Sequence, residues 1–179
     1  MECKHVEPEP NEAQDLIAAI DFIANHPTYQ NAQIGLLSIC MGAAANTYAY
    51  GADDLQKYSN IKAMVAIQPM RYPDFIKALG LPSFLQRWVN AENSKRVGFD
   101  MLSKSFKNDV QKIQAPTLLV QNDQDEYLNK QSIDEYYNNL NVEKEMLWLS
   151  GIGKKRAAAY DYLTKNPEKI LYWFDHHMK

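Results

Sequence analysis

The stretch GLLSICMGAAANTYAY, residues Gly35 to Tyr50, joins an apolar run to a run of small, helix-forming residues. The apolar run AQIGLLSI (32–39) lacks polar alternation, which is typical of a strand buried on both faces. Because a helix is predicted to begin at once with Met41, Cys40 is expected to lie on a tight strand-to-helix turn. This turn indicates the fold class and supplies the first candidate functional residue.

On either side of this turn, helices and strands alternate along the chain. Helices are predicted over 12–25, 41–57, 132–140 and 167–177, and further apolar strands over 61–68, 116–121 and 145–149. Parallel strands need crossover connections through helices, which cover both faces of the sheet. The sequence therefore predicts an α/β fold with a parallel sheet of about four strands. We expect a single domain over 1–179, with a tail over 1–10.

Composition and charge narrow the class of protein. Of the 179 residues, 46% are apolar and 23% are charged, as in a globular domain, and the net charge of −3 gives no reason to expect nucleic acid or an anionic membrane as partner. No apolar run is long enough to span a bilayer, and the polar N-terminus lacks the apolar core of a signal peptide. The two cysteines are too few for a disulfide framework, and their spacing is not that of a zinc site. The sequence thus predicts a cytoplasmic protein with neither metal nor cofactor.

Cys40 fits the centre of a nucleophile elbow better than Ser38 does. Small residues must stand two positions before and after the centre, because the strand and the helix approach closely there. Ser38 and Gly42 meet this requirement for Cys40, whereas Leu36 would clash if Ser38 were the centre. The backbone N–H of Met41 would then point at a developing oxyanion. Cys40 is either a nucleophile with Met41 as oxyanion donor, or a small buried thiol.

The order of elements resembles the second half of an α/β-hydrolase, and the cysteine at the turn is similar to the dienelactone-hydrolase-like branch of that superfamily. The resemblance covers nearly the whole chain. It implies that the turn NDQD (122–125), after the strand PTLLVQ, is the acid loop, so that Asp125 matches the triad acid and Asp123 is the alternative. A solvated acidic turn is the other interpretation of these residues. The implied activity is hydrolysis of an ester, lactone or thioester.

One departure from the family concerns the general base. The loop after the last strand, 150–156, carries no histidine, although the family places its base there. Lys154, Lys155 and Arg156 stand in that loop, where they would hold a thiolate electrostatically or form a solvated loop. The histidines of the chain are predicted to be surface residues away from the turn: His5, His26, His176 and His177.

A second departure concerns the strands that the family has before its elbow strand. This sequence contains none, so the strand over 32–39 is predicted to form an exposed apolar sheet edge. We expect either that the sequence is part of a longer protein or that a partner covers the edge, as in a twofold homodimer. Residues 70–111 stand where the family carries a lid, and their helically spaced aromatics are predicted to be core: Phe84, Trp88, Phe99 and Phe106.

The sequence leaves two interpretations of function open. One is a hydrolase of weak or partial activity that uses Cys40 without a histidine base. The other is a catalytically inactive hydrolase-fold protein that binds a small ligand or a protein partner. A flavodoxin-like domain is a weaker third interpretation, because the chain has no glycine-rich phosphate loop.

Overall fold

The computed structural model describes residues 11–52, 54–98, 100, 102–103, 106–127 and 130–179. The predicted tail over 1–10 and Phe99 lie outside the described residues. The strands are β1 (Ile34–Ile39), β2 (Ile61–Ile67), β3 (Thr117–Asn122) and β4 (Lys144–Leu149). The helices are α1 (Asn11–Asn25), α2 (Met41–Gly51), α3 (Tyr72–Ala78), α4 (Ser83–Val97), α5 (Lys107–Val110), α6 (Lys130–Asn139), α7 (Arg156–Lys165) and α8 (Glu168–His177).

The four strands form one parallel sheet in the order β1-β2-β3-β4, which confirms the predicted fold class. The two central strands, β2 and β3, are buried almost throughout, which is why they read as apolar runs without alternation. Alternate residues of β2 enter two different cores. Met64 and Ala66 pack with α1 and α2, whereas Val65 and Ile67 pack with α7 and α8.

Strand β1 is an edge of the sheet, as predicted. Leu36 is buried, but the side chains of Leu37 and Ile39 are 57% and 44% exposed. Cys40 N donates to Ile67 O at 2.8 Å, and alternate residues of a strand hydrogen-bond to opposite sides. The backbone groups of Leu37 and Ile39 therefore point to the outer edge, which pairs with no strand among the described residues.

The C-terminal part contains a helix that the sequence did not predict. The predicted loop 150–156 ends one residue late, because Arg156 is already the first residue of α7. Helix α2 also ends at Gly51, short of the predicted 57, where Lys112 Nζ donates to the Gly51 carbonyl at 2.6 Å. No helix within the described ranges combines the length and the apolar character needed to cross a membrane.

Residues 70–111 carry the three helices α3, α4 and α5, and their aromatic residues divide into two groups. Phe106 is buried and packs against Tyr48 and Tyr136, with ring centroids 5.4 and 5.2 Å away, as predicted. The prediction of a core position is wrong for Phe84 and Trp88, which are 67% and 63% exposed. Their spacing of four residues does place them on one helix face, but that face is open to solvent. The lid-like role of this segment stays a prediction.

Candidate active site

Cys40 occupies a strained turn between β1 and α2. Its φ of 55° and ψ of −115° lie outside the regions that ordinary residues adopt, and Gln68 is the other non-glycine residue with positive φ in the described part of the chain. The first backbone bond of α2 runs from Ala44 N to Cys40 O at 3.2 Å. The thiol is half-buried and free. Strain at a non-glycine residue persists only where the surrounding structure enforces it, and such residues cluster at functional sites.

The hydroxyl of Ser38 is used in hydrogen bonds within the fold, which agrees with Cys40 as the centre of the turn. The Ser38 hydroxyl is buried, accepts a hydrogen bond from Asn46 Nδ2 at 2.8 Å and donates one to Val65 O at 3.3 Å. A Cβ atom at Gly42 would lie 4.0 Å from Ser38 Cβ, which is an ordinary contact. Ser38 and Gly42, which flank the turn, are therefore close together, but position 42 has room for an alanine.

Met41 is the first residue of α2, so its N–H has no partner within the helix. The same holds for the two N–H groups that follow, because the helical bonds begin at Ala44. These donors and the positive end of the helix dipole lie beside Cys40. The Met41 N–H, the predicted oxyanion donor, is therefore free to donate a hydrogen bond to a negatively charged group bound at the turn.

Asp125 lies in the core of the candidate site, with its side chain wholly buried. Its Oδ2 accepts hydrogen bonds from Gln68 Nε2 and Gln121 Nε2, each at 2.9 Å, and its Oδ1 accepts one from Tyr127 N at 2.8 Å. Arg156 Nη1 forms an ion pair with Asp125 Oδ2 at 2.9 Å. The predicted triad acid is thus held by an arginine where a triad would offer it a histidine.

Arg156 is buried, with 8% of its side chain exposed, so the prediction of a solvated loop is wrong for this residue. Its Nη2 donates to the Gln68 carbonyl, and its Nη1 lies 3.8 Å from Met70 Sδ. Lys154 and Lys155 are exposed beside it, as a solvated loop predicts. A guanidinium stays protonated in proteins, so Arg156 supplies charge and hydrogen bonds but does not act as a base.

Tyr160 is a site residue that the sequence did not indicate. It lies four residues after Arg156 on α7, and its hydroxyl interacts with both the Arg156 guanidinium and the Cys40 thiol. Burial raises the pKa of Tyr160 and Cys40 raises it further, while Arg156 lowers it. The pKa stays above its ordinary value of about 10, so the phenol is protonated at neutral pH and able to donate. Recognising α7 as a helix would have placed Tyr160 on the face of Arg156.

The remaining predicted residues that the structure describes are one aspartate of the acid loop and three histidines. Asp123 is exposed, and its backbone N–H donates to Leu149 O at 3.1 Å. His26 lies in the turn after α1, where its Nδ1 accepts from Thr28 N at 3.2 Å. His176 and His177 end α8 beside Glu143, which precedes β4, so they lie at the amino ends of the strands. His5 is outside the described residues.

An open cleft of about 450 Å³ adjoins Asp125. Its walls are mostly polar and include the ion pair between Arg71 Nε and Asp74 Oδ2 at 2.6 Å. The lining residues come from α3, the acid loop and α6: Arg71, Asp74, Lys77, Ala78, Asp125, Glu126, Tyr127 and Ser132. A cleft beside the carboxyl ends of parallel strands is the usual place for a ligand in such a sheet.

No protein-family model matches the sequence, and no curated protein matches it. The fold is nevertheless similar to solved hydrolase structures. A dienelactone hydrolase from Anabaena variabilis has 16% identity and a TM-score of 0.57 over 93% of this chain and 60% of its own. The Pyrococcus furiosus esterase Pf2001 has 18% identity and a TM-score of 0.62 over 100% and 66%.

A monoacylglycerol lipase from Paleococcus ferrophilus has 15% identity and a TM-score of 0.57 over 89% of this chain and 75% of its own. This chain spans only about three-fifths of the length of the dienelactone hydrolase. Identities this low establish the fold alone. The four-stranded parallel sheet with its flanking helices therefore has an α/β-hydrolase-like fold.

Proposed function

We propose that this chain carries the nucleophile of an acyl-transfer site, with Cys40 attacking an ester, lactone or thioester. The observation that supports the proposal most is the strained turn at Cys40, which presents a thiol at the N-terminus of α2. A buried cysteine that only fills space needs no such backbone. The hydrolase-like fold also supports the proposal, because the solved structures with a similar fold include esterases and a dienelactone hydrolase.

In the proposed reaction the Cys40 thiol first loses its proton to solvent. The thiolate then forms a carbon–sulfur bond with the carbonyl carbon, and the carbonyl electron pair moves to oxygen, which the Met41 N–H stabilises. That pair returns, the bond to the leaving oxygen or sulfur breaks, and the leaving group takes a proton. Water subsequently attacks the acyl-thioester, releases the acid and restores the thiol.

Two side chains around Cys40 assist this reaction in the proposal. Tyr160, protonated at neutral pH, donates a hydrogen bond to the thiolate or to the leaving group. Arg156 adds positive charge, and Asp125 holds Arg156 in place through the buried ion pair. The site works without a histidine base, and loss of a triad base reduces hydrolase rates by roughly 10⁴-fold. We therefore expect slow turnover.

The test is release of nitrophenol from p-nitrophenyl acetate by the parent chain, Cys40→Ala and Cys40→Ser. We expect Cys40→Ala to remove the release above the buffer rate, and Cys40→Ser to remove most of it, because a serine hydroxyl without a base is a poor nucleophile. Tyr160→Phe should retain part of the release. Equal rates from the parent and Cys40→Ala would contradict the proposal.

A second candidate function is a catalytically inactive hydrolase-fold protein that binds a ligand or partner. The Asp125–Arg156 ion pair favours it, because this pair occupies the carboxylate that an active triad would use to orient its base. The polar cleft beside Asp125 would then be the binding site. Cys40-dependent release of nitrophenol distinguishes the two, since the binding protein predicts none.

We also propose that two copies of the chain pair through the outer edges of β1. The exposed side chains of Leu37 and Ile39 support this, because an apolar unpaired edge attracts another strand. Analytical ultracentrifugation at micromolar concentration should show a dimer, and Leu37→Lys should shift it to monomer. A monomeric parent would contradict the pairing.

A further inference from the structure

A second group of polar side chains lies at the amino ends of the strands, opposite Cys40. It joins the last turn of α8, which contains His176 and His177, to Glu143, the residue before β4. One ligand atom from each of the three side chains lies within 4.8 Å of the other two. His177 Nε2 lies 3.8 Å from Glu143 Oε1. This distance is too long for a hydrogen bond between them.

The buried nitrogen of His177 is the observation that needs an explanation. Only 8% of the His177 side chain is exposed, and its Nε2 has no hydrogen-bond partner among the described residues. A buried polar atom without a partner is costly, so such atoms in native proteins call for a ligand, an ion or a water. Glu143 lies 3.8 Å from this nitrogen, and a ligand atom of His176 lies within 4.8 Å of a His177 ring nitrogen, so two further potential ligands are close by.

The His177 ring is held firmly, whereas the other two side chains are free to adjust. Its centroid lies 4.3 Å from that of buried Trp173, and the His176 ring meets it edge-on at 4.8 Å. His176 and Glu143 are both exposed, the latter with 65% of its side chain in solvent. Tetrahedral ligands around Zn²⁺ at bond lengths near 2.1 Å lie roughly 3.4 Å apart. Rotation of the two exposed side chains is enough to close the cluster to that spacing.

The charge and chemistry of this corner suit a divalent cation. The C-terminus of α8 presents partial negative charge from its last carbonyl groups, and Glu143 adds a carboxylate. Two imidazoles with one carboxylate are a typical ligand set for zinc and its neighbours, and such a three-residue set leaves a fourth position for water. Mg²⁺ and Ca²⁺, in contrast, prefer oxygen ligands.

We propose that Glu143, His176 and His177 bind a divalent transition-metal ion, for which Zn²⁺ is the probe. The ion ties the end of α8 to the start of β4, and it lies at the opposite end of the sheet from Cys40. Its role is therefore structural, and it stabilises the folded chain in proportion to the logarithm of the free metal concentration above its dissociation constant.

Binding is measured by competition of the full chain with a chromophoric zinc indicator. Every protein carries Cys3→Ser and Cys40→Ala, so that neither thiol contributes as a ligand. The test variants are His176→Ala and Glu143→Gln, whose side chains are exposed and whose loss does not threaten the fold. The controls are matched in residue type: His26→Ala removes a histidine elsewhere, and Glu145→Gln removes a carboxylate already paired with Lys169 Nζ at 2.5 Å.

We expect one tightly bound Zn²⁺ per chain in the parent and in both controls. His176→Ala and Glu143→Gln should each weaken binding by about tenfold or more, since losing even a residue that only hydrogen-bonds a metal ligand has an effect of this size. Zn²⁺ should also raise the thermal midpoint of the parent, whereas the same concentration of Mg²⁺ should not. The proposal fails if the test variants bind Zn²⁺ as the controls do, or if the parent binds it only at millimolar concentration.

Discussion

Each end of the parallel sheet carries a carboxylate beside a buried nitrogen-bearing side chain, but the two pairs differ in their hydrogen bonding. At the carboxyl ends, the Asp125 carboxylate is wholly buried and satisfied by four donors, including Arg156. At the amino ends, the buried His177 nitrogen lies 3.8 Å from the Glu143 carboxylate and has no hydrogen-bond partner in the described part of the chain. Hydrogen-bond accounting thus separates a carboxylate whose donors are in place, at what we call the closed end, from a histidine nitrogen that can bind a ligand, at the open end. Three buried atoms around Asp125 also lack partners in the described part of the chain, but they belong to side chains that already donate to it: Gln68 Oε1, Gln121 Oε1 and Arg156 Nε.

The described histidines also lie elsewhere than a triad around Cys40 would need them. The two histidines at the C-terminal end of α8 lie at the amino ends of the strands, whereas the thiol lies at their carboxyl ends. Arg156 takes the position beside Asp125 that a base would need, and its charge is permanent. The four predictions that follow test the contrast between the two ends, in order of expected effect.

The largest effect is expected at the closed end from Arg156→Met. This change leaves Asp125 as a buried carboxylate without its ion-pair partner, and breaking such a pair typically lowers the free energy of unfolding by about 3–5 kcal/mol. Lys155→Met is the matched control on the adjacent exposed side chain, with an expected change within about 0.5 kcal/mol. Urea unfolding measures both variants.

The double variant Asp125→Asn, Arg156→Met should recover much of that loss, because a neutral amide no longer needs a cation. A single Arg156→Met variant as stable as Lys155→Met would show that the ion pair contributes nothing to the closed cluster.

At the open end, the two adjacent histidines should differ when metal is removed with a chelator. His177→Ala deletes a ring packed against Trp173 and should lower the free energy of unfolding by about 1–3 kcal/mol. His176→Ala removes an exposed ring and should change it by less than about 0.5 kcal/mol. Thermal or urea unfolding in chelator gives both values. Equal losses would mean that His177 is not the anchored member of the cluster.

The strain at Cys40 predicts a smaller effect at the closed end. Cys40→Gly relieves the positive φ that Cys40→Ala retains, so the glycine variant should be more stable than the alanine variant by about 1 kcal/mol. At Ala44, which has ordinary helical backbone, the order should reverse, and Ala44→Gly serves as the control. A less stable Cys40→Gly would mean that the turn is not strained in solution.

The smallest expected effect concerns alkaline pH at Tyr160. Because the pKa of Tyr160 is raised in the folded protein, its contribution to stability is complete below about pH 10 and is lost as the pH rises toward the folded value. As the pH rises above about 10, the ordinary pKa of tyrosine, the parent should therefore lose stability slightly faster than Tyr160→Phe does. Urea unfolding midpoints at a series of pH values measure both proteins. If the stability of the two proteins falls in parallel with pH, the ionisation of Tyr160 does not affect the stability of the fold.

Much of the fold was predictable because its signals are local. The apolar runs of β2 and β3 gave a buried parallel sheet, and the small residues after Cys40 gave the elbow turn. Helix α7 was not predicted, because the polar residues GKKR (153–156) are typical of a loop, yet the helix begins at the last of them, Arg156. Tyr160 was not predicted as a site residue for the same reason, because its position depends on the register of α7.

The pairings at both ends of the sheet lie beyond what local patterns contain. Asp125 and Arg156 are 31 residues apart, and burial of an arginine against a carboxylate is decided by tertiary packing. The predicted surface position holds for His176 but not for His177, which is one residue further along the same helix. Neighbouring side chains of a helix point in different directions, and only the packing of α8 shows which of them is covered.

The central claim is that Cys40 stands at the turn as a nucleophile. The most direct measurement is mass spectrometry of the chain quenched soon after mixing with p-nitrophenyl acetate, followed by peptide mapping. We predict one acetyl group per chain on the peptide that contains Cys40, absent from Cys40→Ala and decaying as acetate is released. An unmodified Cys40 peptide, with acetyl groups scattered equally over the lysines of both proteins, would contradict the account.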